Sequence, residues 1–445
     1  MIEQYDFRFV CLMMLIASIS LHSRAETDSQ NVLSDYEFLL SLDPDSASLP
    51  ASEWQFTIEL NDTGIEDDNE LRERFSLSKT DWLASLDYFA LDFETDSFDR
   101  QYSVSLLYDS TPLVGDWYLS AAAFYNYDRF ENIEDENLQD ILLENERQTE
   151  IDDISWGAGA YAMNLVGYQD WLLNWGFGIR WEEVDTDDLR IFEGNGKNQF
   201  ALPGIKLQLQ TLTDSRHQIQ SYLAFEWNEP SLADTKETSR EFDVSVEFGP
   251  FEPTVSLRGK VDIPTDFQIF TAQYDHRIAL DQSLISQASH QLRLRASGQF
   301  SFSEPLLPSF QRSIGGVYST RGYDDSVLSG DKALDIGLEY RWLIPQFNDY
   351  SPWLFLFVDW ASVNRYAVVT TIRVLDSPIE RFNELERDIE VEEASSDLSS
   401  LGVGLDVVHH TYGSLYLAVA QALDDDEVST EAGDIRLHAY LRINF

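Results

Sequence analysis

The chain reads as all-β, a transmembrane antiparallel β-barrel, and three observations point there. Segments of strict apolar–polar alternation recur along its length, the period of a strand with two unlike faces. Short turns and long acidic loops alternate between those segments. The last segment, Ile435 to Phe445, keeps its alternation to the terminus and ends on Phe. A soluble sandwich also alternates, but here the polar face mixes Arg, Asp, Glu and Gln with Gly, as a wet and crowded lumen would. Trp and Tyr also gather at segment ends (Trp117, Trp171, Trp181, Trp342, Trp353), the placement of interfacial girdles.

Taken in order, the chain begins with an apolar run, Phe9 to Ala17, followed by small residues at Ser23-Arg24-Ala25. This is the layout of a secretory signal peptide, expected over 1–25, although Glu3 and Asp6 oppose Arg8 in its n-region. The only cysteine, Cys11, lies inside it, so no disulfide is expected in the exported chain. Residues 26–50 are expected to form a short periplasmic segment and 51–445 the barrel. No later stretch reaches the roughly 18 apolar residues of a spanning helix.

Composition narrows the partners. There are 79 Asp and Glu against 30 Lys and Arg, a formal charge of −49. Phosphate binding needs a basic surface, so no nucleic acid partner is expected. Disorder is excluded by 43% hydrophobic residues and by 11 Trp, 20 Tyr and 27 Phe. Membrane lipid and lipopolysaccharide are the expected surroundings, in the bacterial outer membrane.

About 18 candidate strands follow, beginning near Trp54–Leu60. The hairpin Glu241–Phe248 with Thr254–Val261 alternates as well as the others, so pattern alone counts it into the wall. Further on, Leu292, Leu294, Ala296 and Phe300 oppose Arg293, Arg295, Ser297 and Gln299. Leu334, Ile336, Leu338, Tyr340 and Trp342 oppose Asp335, Gly337, Glu339 and Arg341. Leu401, Val403, Leu405 and Val407 alternate with Gly402, Gly404 and Asp406.

Short turns fall near Ser110–Val114, Val166–Asp170, Thr213–Arg216, Pro345–Ser351 and His409–Gly413. Long loops fall at Asp128–Thr149, Val184–Asn198, Arg365–Asp397 and Asp424–Asp434. With a periplasmic C-terminus, every long loop lies outside and the strand count is even. The acid-rich stretches 128–150 and 376–397 read as solvated, self-repelling loops. Bridging of divalent cations to lipopolysaccharide is the alternative reading.

One connection differs from the rest. It contains Gly315-Gly316, then Ser319-Thr320-Arg321-Gly322-Tyr323, then Leu328-Ser329-Gly330-Asp331. Asp359 shares a strand face with Phe355 and Phe357, opposite Leu354, Leu356 and Val358, and is therefore expected to point into the lumen. An Arg at the tip of a long loop can bring its planar fork onto such a carboxylate. The loop from Ser303 to Asp331 is then expected to fold inward as a plug held by Arg321–Asp359. Glu339 is a second acceptor, Gly322 allows the turn, and Tyr323 wedges against the wall. The arginines Arg293, Arg295, Arg341, Arg436 and Arg442 are read as pairing with lumen acids; contact with an unfolded client is the alternative.

These motifs resemble the haemolysin activator barrels of two-partner secretion, relatives of the barrel-assembly insertase. That family carries a Val-Arg-Gly-Tyr/Phe loop tip, with Thr320 here in place of the valine. Its second signature, Phe-x-Asp-x-Gly, is matched by Phe357-Val358-Asp359-Trp360-Ala361 except at the last residue. The resemblance implies a 16-stranded barrel, so the additional hairpin is a departure from it. It further implies that a secreted polypeptide client is translocated or inserted, and that the inward loop matters for secretion. Phe445 resembles the signal read by the barrel assembly machinery.

The family's transporters carry periplasmic POTRA domains ahead of the barrel, and Glu26 to Pro50 is too short for one; the chain is expected to lack them. The competing functions are a structural or binding barrel and a small-ion diffusion channel. No enzyme site, cofactor or metal is expected. His409-His410 sits in a turn with its rings facing opposite sides, and Gly194-Asn195-Gly196 reads as a loop turn.

Overall fold

The computed structural model describes residues 54–445 except 63–70, 85–86, 98–100, 132–149, 187–189, 192–196, 213, 237, 248–253, 264, 303–304, 346–348, 367, 377–385, 392–393, 410–411 and 427–429. The expected signal peptide, the segment 26–50, His410 and Gly194–Gly196 lie outside the described residues, as does most of the acidic loop 128–150.

Strands β1 (Gln55–Asp62), β2 (Leu71–Thr80), β3 (Tyr88–Ser97), β4 (Gln101–Asp109), β5 (Trp117–Glu131), β6 (Glu150–Tyr168) and β7 (Trp171–Thr186) follow one another around a wall. A two-residue strand, β8 (Arg190–Ile191), leaves it, and β9 (Lys197–Thr211) and β10 (His217–Trp227) resume it. The hairpin β11 (Thr238–Glu247) and β12 (Thr254–Ile263) leaves it again, and β13 (Gln268–Ala279) and β14 (His290–Ser301) return. Within the next connection, β15 (Arg312–Ile314) pairs with β16 (Leu328–Gly330) as a small hairpin. The wall continues with β17 (Lys332–Leu343) and β18 (Tyr350–Arg365), and β19 (Val368–Asp376) and β20 (Glu386–Val391) depart from it. It finishes with β21 (Ala394–His409), β22 (Gly413–Ala422) and β23 (Ile435–Asn444). β23 pairs antiparallel with β1 from Thr57↔Asn444 to Asn61↔Tyr440, which closes a barrel of 16 strands.

The pattern count is therefore corrected. The hairpin β11–β12 is not part of the wall, because β10 and β13 pair directly from His217↔Ile278 to Trp227↔Gln268 and leave no edge to enter. Its backbone groups need other partners, and they find them in β19, from Ser256↔Asp376 to Val261↔Thr370, and in β8. The result is a second sheet, ordered β20-β19-β12-β11-β8, built from three connections at one end of the barrel. Alternation reports a strand with two faces; it does not report which sheet the strand joins.

Side chains sort by face as a membrane barrel requires. On β18, Leu356, Val358 and Trp360 are exposed outward, and Phe355, Phe357, Asp359 and Ala361 are buried inward. On β17, Leu334, Leu338, Tyr340 and Trp342 face out and Asp335, Glu339 and Arg341 face in. An exposed apolar belt of this extent is a liability in water and a requirement in lipid. Trp353 departs from its expected girdle position: it has the inward parity, and its ring lies 5.6 Å from the Arg341 guanidinium.

Two of the turns are tied by aspartates. Asp87 accepts the backbone N–H groups of Trp82, Leu83 and Ala84 at 2.6, 2.9 and 3.0 Å, and the Tyr108 hydroxyl at 3.2 Å. Asp281 does the same for Ser289 and His290 across the β13–β14 turn. Burial alone would raise the Asp87 carboxyl, but its backbone donors outweigh that and hold it below the usual carboxylate range.

Candidate functional site: a loop folded into the lumen

The connection between β14 and β17 turns back into the barrel and touches opposite sides of it. Near its start, Leu306, Leu307 and Phe310 pack with Val184 of β7, Phe200 and Leu202 of β9, Phe267, and Ile269 of β13. Asp331, at its end, accepts the Leu306 N–H at 2.6 Å, Gln311 Nε2 at 3.1 Å and the Tyr366 N–H at 2.7 Å. Both ends of the loop are thus tied to one carboxylate, and the segment between them is presented to the far wall.

There the tip residue Arg321 is fully buried. Its Nε donates to Asp359 Oδ2 at 2.6 Å and its Nη2 to Asp359 Oδ1 at 2.8 Å, a side-on fork. Its Nη1 donates to Glu339 Oε1 at 2.8 Å and to the Tyr416 hydroxyl at 2.7 Å. Beneath it, the Phe357 ring centre lies 3.5 Å from the guanidinium carbon. One cation therefore meets two carboxylates, a hydroxyl and an aromatic face, supplied by β17, β18 and β22. A buried charge is tolerated only when paired and hydrogen-bonded to this degree.

Gly322 follows with φ +97°, a left-handed value that favours glycine, and its N–H donates to His438 Nε2 on β23 at 2.9 Å. The Tyr323 ring packs with Ala361, Val363, Leu398 and Ala422, and its hydroxyl lies 2.8 Å from the Ser399 carbonyl and 3.0 Å from that of Asp424. Asp324 pairs with Arg436, and Asp325 lies 3.4 Å from Arg72.

The remaining arginines singled out in the sequence have these places. Arg293 binds Asp275, Arg341 binds Asp406, and Arg442 binds Glu59. Arg295 stands apart, 3.7 Å from Glu339 and 3.9 Å from Asp359, the two carboxylates that hold Arg321. Phe445 closes the seam: its backbone exchanges bonds with Phe56, at 2.8 and 3.4 Å, and the two rings lie 5.7 Å apart.

Tyr416, His438 and Asp324 belong to this site without a local sequence signal that singles them out. The inward parity of Tyr416 and His438 was legible, but their partners are set by register across strands distant in sequence. His409 meets the Tyr350 ring edge-on and lies tilted against that of Tyr412 at the turn-side rim.

Fold and site together define an outer-membrane-type β-barrel with a connection folded into its lumen. The model of a protein family, haemolysin secretion/activation protein ShlB/FhaC/HecB, matches residues 241–368. That segment spans the loop and both residues of the Arg321–Asp359 pair, and the chain is similar to this family there. Two solved structures share the architecture. CdiB from Escherichia coli aligns with a TM-score of 0.60 at 12% identity, covering 89% of this chain and 64% of that one. CdiB from Acinetobacter baumannii gives 0.58 at 13% identity, covering 89% and 60%. The chain thus spans less than two thirds of the length of these relatives. No curated protein sequence matches.

Proposed function

We propose that this barrel sits in the bacterial outer membrane and moves a polypeptide across it, or inserts one into it, with the loop between β14 and β17 as a plug. The observation that carries this reading is the burial of Arg321 against Asp359 and Glu339 inside the segment matched by the haemolysin secretion/activation model. Strands β17, β18, β22 and β23 converge on one loop tip through bonds that can break together, which suits a gate better than a scaffold. A secreted client, the barrel assembly machinery acting on Phe445, and lipid with lipopolysaccharide are its partners in this reading. It invokes no catalysis.

Planar-bilayer recording tests it. The intact protein is expected to be silent or to open erratically, with conductance growing when 303–331 is deleted. Steady, cation-selective pores from the intact protein would make it a diffusion channel. The apolar anchoring around Phe310 favours a second reading, a permanently closed structural or binding barrel. In that case, deleting the gene would leave every secreted and outer-membrane protein at its normal level.

A further inference from the structure

We infer that Arg295 is the wall's own counterion for Asp359 and Glu339, and that it takes over both carboxylates when Arg321 withdraws. This rests on the reading that the loop leaves its docked position.

The placement is specific. Asp275, Arg295, Gly337 and Asp359 form one cross-strand row through β13, β14, β17 and β18. Arg295 would ordinarily bond its neighbour Asp275, but Arg293 already holds that carboxylate, with Nε at 2.7 Å. Arg293 lies opposite Glu339 in register and is thereby turned away from it. On its other side Arg295 faces Gly337, where there is no side chain to block it. A Cβ there would lie 2.8 Å from Asp359 Oδ1 and 3.3 Å from Arg295 Nη2, so the gap is what lets the guanidinium lean toward Asp359.

The bonding is incomplete in a telling way. Nε and Nη2 of Arg295 are shielded from solvent and have no hydrogen-bond partner, while Nη2 waits just beyond bonding range of both carboxylates. Arg321 occupies the acceptor positions that Arg295 would use. Two carboxylates and two guanidiniums make the docked site neutral. If Arg321 left a wall without Arg295, two inward carboxylates would remain together without the cations that now stand within ion-pair distance, an arrangement disfavoured by desolvation and mutual repulsion. With Arg295 present, a short swing across Gly337 closes new bonds. Arg295 thus stabilises the released state more than the docked one, where it repels Arg321 and holds the two carboxylates only in loose ion pairs. It is a positioning residue for plug release.

The consequence runs against the usual effect of deleting a buried charge: removing Arg295 should hold the loop in more firmly. A Cys11→Ser, Val317→Cys background places a thiol on the buried loop residue Val317, and its reaction with a maleimide-polyethylene glycol reports release. Folding of each variant is checked by heat-modifiable electrophoretic mobility. Arg321→Ala is expected to speed labelling. Arg295→Ala is expected to slow it by roughly threefold to fivefold, the scale of one partly screened charge contact, and Arg295→Lys to restore the parent rate. An Arg295→Ala rate equal to or above the parent overturns the inference and leaves the plug reading intact. A thiol that stays inert in both the parent and Arg321→Ala overturns the plug reading itself.

Discussion

The ring of Phe357 lies in the notch left by Gly402, its neighbour on β21, and carries the Arg321 guanidinium 3.5 Å from its centre. A Cβ at position 402 would fall 2.7 Å from Phe357 Cε1, well inside contact distance. The loop tip therefore rests on a platform whose height is set by a glycine two strands from Glu339.

Gly402→Ala should lift or tilt that ring, and overpacking of this kind costs about 1–3 kcal/mol. Urea unfolding of the barrel refolded into lipid vesicles, followed by Trp fluorescence, checks it. Faster thiol labelling of the loop should accompany the loss. Unchanged stability and labelling would mean the wall yields without disturbing Arg321.

Asp359→Ala removes the fork acceptor and leaves Arg321 buried with one carboxylate, at a cost of about 3–5 kcal/mol. The double variant Asp359→Ala, Arg321→Ala should lose less than the sum of the two single changes, because no uncompensated cation remains. Additive losses in the same unfolding assay would show that the two residues do not act as a pair.

Asp87 supplies a pH dependence located in a turn. Its carboxyl is held below the ordinary value by backbone donors from Leu83, Ala84 and Trp82, which outweigh burial. The stabilisation is fully present above the unfolded-state value of about 4 and is lost as pH falls through the depressed folded-state value. Asp87→Asn should destabilise at neutral pH by about 1 kcal/mol, the net worth of charge-assisted bonds weakened at a partly exposed turn. It should also flatten the stability–pH curve below about pH 4. Parallel curves for the two proteins would refute the assignment.

Phe445 is exposed on the outside of the seam, and its backbone bonds to Phe56 do not depend on its ring. Phe445→Ala should therefore lower the amount of barrel assembled in cells while leaving the urea midpoint of the refolded protein nearly unchanged. Equal assembled levels in cells would remove the assembly role.

Much of this site is legible in the sequence. The parity of Asp359 with Phe355 and Phe357, and of Glu339 with Asp335, places these residues inward because side-chain direction along a strand repeats every second residue. The arginine at the loop tip had inward carboxylates within reach, and it bonds two of them, Asp359 and Glu339. Tyr416 and His438 were not legible as partners of the loop, since nothing local connects residue 321 to 416 or 322 to 438. The inward parity of Trp353, which shares the face of Phe355 and Phe357, was legible too; its contact with Arg341 was not, because that depends on the register of β18 against β17.

The sequence by itself determined the barrel, the faces of its strands and the end at which the long loops gather, because alternation and turn length are local properties. The tertiary structure decided the rest. It sent β11–β12 out of the wall to pair with β19, made one row of Arg295, Gly337 and Asp359, and set Phe357 into Gly402. Each of these depends on register between strands far apart in the chain, and register is fixed only when the whole sheet closes on itself.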